Sequence, residues 1–68
     1  MFRKAEFNAV LARNEKSKEF VADLLGINIA TLYRKINGQS DFTRSDIQLI
    51  RCAFHLTADE VDRIFFAE

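Results

Sequence analysis

Residues 21–38 read Val21-Ala22-Asp23-Leu24-Leu25-Gly26-Ile27-Asn28-Ile29-Ala30-Thr31-Leu32-Tyr33-Arg34-Lys35-Ile36-Asn37-Gly38, and they hold the only two glycines of the chain. Each glycine stands just after a run with helical periodicity. Val21, Leu24 and Leu25 recur at the spacing that places apolar side chains on one helical face, with the small Ala22 beside them where another helix can approach closely. Gly26 supplies the left-handed conformation that ends such a helix without a Cβ penalty. Two residues later, Asn28 is placed to accept hydrogen bonds from the free amides of a new helix. Leu32 and Ile36 stand one turn apart, with Ile29 a turn earlier, so the second helix has an inner stripe, and Asn37-Gly38 marks its end.

Two short helices joined by a tight turn containing glycine make a helix-turn-helix unit, here about residues 17–37, whose second helix is the one laid into a DNA major groove. With Leu32 at the centre of the buried side and about 100° of rotation per residue, Ala30, Arg34 and Asn37 point most directly away from the core. Tyr33 flanks them on one side, Thr31 and Lys35 on the other. Arg34 is the best candidate for a base-specific contact, because its planar fork matches the two acceptors on a guanine edge. Tyr33 is placed to reach a phosphate or the margin of the bases.

On Val21-Ala22, Leu24, Gly26-Ile27-Asn28, Thr31-Leu32, Arg34 and Asn37-Gly38, continued by Phe42-Thr43, Ile47 and Ile64-Phe65-Phe66, the chain resembles the phage repressor and Cro-like helix-turn-helix family, often called the Xre family. The resemblance covers nearly the whole chain. It rests on an ordered set at fixed spacings and on no single residue. It implies an all-α fold, a compact five-helix bundle of the lambda-repressor-like DNA-binding type, and a sequence-specific transcriptional regulator, a repressor in the first instance, bound to double-stranded DNA. It also adds the first turn of the second helix, Asn28, Ile29 and Ala30, to the residues expected at bases or the adjoining backbone. Ile29 and Ala30 depart from the usual polar choices there; any reading they do is apolar contact with thymine methyl groups, and Ile29 reads equally well as the edge of the core. Where the family often has glutamine the chain has Lys18, which keeps a donor for the DNA backbone and adds charge. Lys16, Ser40 and Arg44 are expected to border the groove in the same way.

Outward from this unit, residues 3–13 read as a first helix with Phe7, Val10 and Leu11 on its apolar face. Phe2 falls outside that stripe and either folds back over the core or meets a partner. Ser17 is a plausible N-cap for the helix ending near Leu25, with Glu19 in its first turn favouring the positive end of the helix dipole. Past the polar loop Gln39-Ser40-Asp41, Phe42 is apolar enough to plug the core. Thr43-Arg44-Ser45-Asp46 has the form of a capping box ahead of Ile47, Ile50 and Phe54, a fourth helix ending near His55. Thr57-Ala58-Asp59-Glu60 is a second capping box, launching a helix whose inner face is Val61, Ile64 and Phe65. There is no proline, no β-branched alternation and no hairpin turn, so five helices and no strand are expected, in one domain spanning residues 1–68.

With 68 residues there is room for one modest core, which without disulfides needs well-packed helices or a partner subunit. A single cysteine cannot make an internal disulfide, and no apolar run approaches a membrane span or a signal peptide, so a reduced, cytoplasmic setting is expected. Ten basic and ten acidic residues cancel, which counts against DNA binding unless the charges are segregated. They are segregated weakly: residues 1–56 carry nine Lys or Arg against six Asp or Glu, 9 − 6 = +3, and residues 57–68 carry one against four, 1 − 4 = −3.

No enzyme is expected. Cys52 and His55 lie three apart, but two ligands do not make a tetrahedral metal site, and no orienting group or oxyanion turn accompanies them as a nucleophile and base. Cys52 reads as a small packing residue, His55 as a favourable cation near a helix C-terminus, and the carboxylates as solvated; no cofactor, metal or small-molecule ligand is implied. Phe20, Leu49 and Phe66, with Phe2, do not fit the inner stripes, and several stray apolar residues on a small protein suggest a contact surface, here a symmetric homodimer. Neutral charge, apolar Ile29-Ala30 and these stray residues also support an alternative, a protein-interaction module on the same fold that has lost DNA reading.

Overall fold

The helix starts expected at Ser17, Asn28, Thr43 and Thr57 each carry their cap in a computed structural model of the protein, which describes residues 1–67. The helices are α1 (Lys4–Arg13), α2 (Lys18–Leu25), α3 (Ile29–Ile36), α4 (Arg44–Phe54) and α5 (Ala58–Phe65), and no strand occurs among the described residues. The Ser17 hydroxyl accepts from the Phe20 amide at the head of α2, at 3.3 Å. Thr43 and Thr57 each close a capping box, the first with Asp46 and the second with Glu60. These bonds satisfy amides that have no partner inside their own helix.

At two helix ends the C-cap residue itself takes left-handed backbone. Gly26 closes α2 at φ 70°, where a Cβ would meet no neighbour but the backbone conformation itself disfavours other residues. His55 closes α4 at φ 54° with no glycine to ease it, a terminus whose conformation the sequence pattern alone does not announce.

Phe7, Leu32, Ile50, Ile64 and Val21 form the fully buried centre, one from each helix, so every helix contributes to a single core. α2 packs on α3 and on α4, and α1 packs on α5. Around this centre Phe42 does plug the core as expected, with ring centroids 5.3 Å from Phe65 and 6.4 Å from Phe7. Phe2 folds back over the core, stacked on Phe42 at 4.9 Å, and the Arg3 amide donates to the Ile64 carbonyl at 2.7 Å. The N-terminal segment is thereby tied to α5, which is why α1 begins at Lys4 and not at Arg3.

Three expectations are corrected. Phe20 does not face away: it is half-buried, packed edge-on against Phe54 at 5.9 Å, because α4 crosses α2 on the side that a projection of α2 alone leaves open. Cys52 is exposed and packs in no core. Among the carboxylates, Asp46 is buried, drawn inward by its capping role and by a lysine from α3.

Candidate nucleic-acid interface

The turn from α2 into α3 is built from backbone bonds that depend on few side chains. The Gly26 amide donates to the Asp23 carbonyl at 3.1 Å and the Ile27 amide to the Ala22 carbonyl at 3.0 Å, closing α2. Asn28 then takes up extended backbone, and its side-chain oxygen accepts from the Thr31 amide at 2.8 Å. The direction of α3 relative to α2 is therefore set within three residues.

Leu32 and Ile36 anchor α3 in the core, and the opposite side is open. Ala30, Tyr33, Arg34 and Asn37 are exposed, with Tyr33 at 44 %. Asn28 is also exposed, whereas Ile29 and Thr31 are half-buried, and Ile29 packs against the core. Its position at the edge of the inner stripe leaves Ala30 as the fully outward apolar residue of the first turn. No acidic residue lies on α3 from Ile29 to Ile36, so its open side offers donors, a cation and a methyl group.

Lys35 leaves this surface altogether. A helical projection places it beside Thr31 on the outward side, but its ammonium turns back to donate to Asp46 at 3.0 Å and to the Asp41 carbonyl at 2.9 Å, with both charged side chains only 12 % exposed. A long, flexible side chain at the margin of a helix goes where an opposite charge awaits it. Burial by itself raises the Asp46 carboxyl, but the bonds from the Thr43 amide and the Lys35 ammonium more than offset it and hold it below its ordinary 3.8.

The remaining candidates fall on two flanks of α3. On one flank Lys16, Ser17 and Lys18 line a shallow cleft of about 400 Å³ together with Tyr33, with Glu19 on its rim. The first turn of α2 and the exposed tyrosine of α3 are thus brought together. Lys18 is half-buried, and the Lys16 ammonium sits 4.7 Å from the Phe20 ring centroid, which holds it near the surface at the entry to α2.

On the other flank lie Ser40 and Arg44, both exposed. Arg44 lines a groove with Phe42, Ile47 and Phe66, and a second one with Gln48 and Leu49. Leu49 and Phe66, 43 % and 57 % exposed, therefore share one face of the molecule with Arg44, while Phe20 lies elsewhere against Phe54. Arg51, which sequence reasoning did not single out, borders the same groove while its Nε donates to the Leu56 carbonyl at 3.3 Å. Its signal was present as a basic residue one turn from Gln48 and two from Arg44.

No helix of the described residues is long and apolar enough to cross a membrane. The family described as the BetR domain matches residues 7–63, from the buried Phe7 of α1 to Arg63 in the last turn of α5. No curated protein and no solved structure matches the chain.

Proposed function

The chain belongs to the BetR domain family, a family of small helical domains of helix-turn-helix type, and from that premise we propose that it is a sequence-specific DNA-binding transcriptional regulator that lays α3 into the major groove. The observation that carries the reading is the division of α3 into two sides: Leu32 and Ile36 buried, Ala30, Tyr33, Arg34 and Asn37 free, and no carboxylate among them. A groove bordered by phosphates accepts a rod of this charge and excludes an acidic one. Arg34 reads a guanine edge, Ala30 meets a thymine methyl group, and Asn28, Thr31, Tyr33 and Asn37 supply hydrogen bonds at the margins. Lys18 on one flank and Ser40 and Arg44 on the other hold phosphates and set the register. Within the cytoplasm such a domain acts without catalysis, repressing by occupying its site.

The exposed Leu49 of α4 and Phe66 at the end of α5, each beside Arg44, favour a homodimer of Xre type. In such a symmetric pair two α3 helices would face successive major grooves, about 34 Å apart, on a near-palindromic site.

Selection of duplexes from a random pool at two salt concentrations tests the reading. Enrichment of a near-palindromic motif containing guanine in each half, retained at the higher salt, is the expected result. Retention of no duplex of any composition at low ionic strength would overturn it.

A further inference from the structure

The one buried ion pair among the described residues does not join the outer helices. It joins the last turn of α3 to the first turn of α4, across the loop that follows the exposed helix. One carboxylate oxygen of Asp46 accepts both from the Lys35 ammonium at 3.0 Å and from the Thr43 amide at 2.9 Å. The ammonium makes a second bond, to the Asp41 carbonyl at 2.9 Å, and lies 5.9 Å from the Phe42 ring centroid. Next to it, the Arg34 carbonyl accepts from the amides of Gln39, at 2.8 Å, and Ser40, at 3.3 Å. The loop is thus held at both ends by two neighbouring residues of α3, one through its backbone and one through its side chain.

Cohesion of the core does not call for such a pair. Buried ion pairs are commonly replaced by apolar residues without loss of stability, because the cost of desolvation offsets the attraction. What an ammonium between fixed acceptors adds is direction. An apolar contact tolerates sliding, whereas the Lys35 bonds specify where the start of α4 lies relative to the last turn of α3.

Resting on the reading of α3 as the groove helix, we propose that Lys35 and Asp46 are positioning residues that set the distance between the base-reading group Arg34 and the phosphate-holding groups Ser40 and Arg44. Lys35 adjoins Arg34 in the chain, and Asp46 follows Arg44 by two residues. A shift at the ion pair is therefore delivered directly to the spacing of the two sets of contacts. DNA with its phosphates engaged then offers its guanine edge to Arg34 only when that spacing is kept.

The test compares Lys35→Met, Asp46→Asn and Thr43→Ala in the full chain. In Lys35→Met the Asp46 carboxylate keeps its bond from the Thr43 amide. Thr43→Ala removes the other half of the capping box, the Thr43 hydroxyl that accepts from the Asp46 amide at 3.1 Å, and leaves the ion pair untouched. Two quantities are read: the ratio of affinities for a selected duplex and a scrambled one, and hydrogen exchange at the Gln39 and Ser40 amides. In Lys35→Met the ratio is expected to fall about tenfold, the size of one lost base contact, with affinity for the scrambled duplex unchanged and loop exchange accelerated. Asp46→Asn shows a smaller fall, and Thr43→Ala lowers the melting temperature without moving the ratio. If Lys35→Met does not fold, Asp46→Asn decides. A ratio and a loop exchange that follow melting temperature alike in all three variants would overturn the proposal. Should the unmodified chain prefer no duplex, the groove reading fails, and loop exchange in Lys35→Met still passes judgement on the clamp itself.

Discussion

The side-chain oxygen of Asn28 accepts from the Thr31 amide at 2.8 Å, so the residue that opens the exposed helix also caps it. The Nδ2 group stays free to donate outward, which suits a phosphate or a guanine acceptor. Asn28→Ala is expected to destabilise the fold by about 1 kcal/mol, and Asn28→Ser, which keeps an accepting oxygen, by less. Urea unfolding of the two variants provides the comparison, and equal losses would count against the cap.

Arg34→Ala removes the outward guanidinium while Leu32 and Ile36 keep the helix seated. Binding to the selected duplex is expected to weaken by about 1 to 3 kcal/mol, and preference at one base pair to relax. Titration against a panel of singly substituted duplexes measures both; an unchanged panel would remove Arg34 from the base contacts.

Lys18→Ala should act differently, because a phosphate contact carries no sequence information. All duplexes weaken alike, and the slope of log K against log salt falls by about 0.9, the share of one neutralised phosphate. A loss confined to one sequence would contradict the assignment.

Acid should destabilise the fold through two capping carboxylates. Asp46 is held below its ordinary value against the opposing effect of burial, and Glu60 is lowered first by the Thr57 amide and further by Arg13, whose guanidinium lies 2.9 Å away. A carboxyl depressed in the folded state binds fewer protons there than in the unfolded chain. Its contribution is complete above the ordinary carboxylate range, about pH 4, and is lost as pH falls through the folded value. The urea midpoint is therefore expected to stay level from about pH 7 to 5 and to drop below about 4, with Asp46→Asn showing the shallower drop.

Phe66→Ala and Leu49→Ala should each raise the dissociation constant of the dimer about tenfold or more, as truncation of a central apolar contact does. Sedimentation equilibrium in the micromolar range reads this directly. Phe20→Ala belongs to a different class: half-buried and packed against Phe54, it should lower stability by about 1 to 3 kcal/mol and leave self-association of the folded chain unchanged.

Amino-acid order alone determined the five helices, their caps at Ser17, Asn28, Thr43 and Thr57, the Gly26 turn and the side of α3 that Leu32 anchors. Each of these depends on residues within one helical turn of one another, where spacing dictates contact. The fates of Phe20, Lys35, Asp46 and Phe2 were decided only by the tertiary structure. Each finds its partner on another element, in Phe54, Asp46, Lys35 and Phe42. A projection around one helix axis knows nothing of which neighbour crosses it, so marginal positions, long charged side chains and terminal aromatics take their places only when the helices pack.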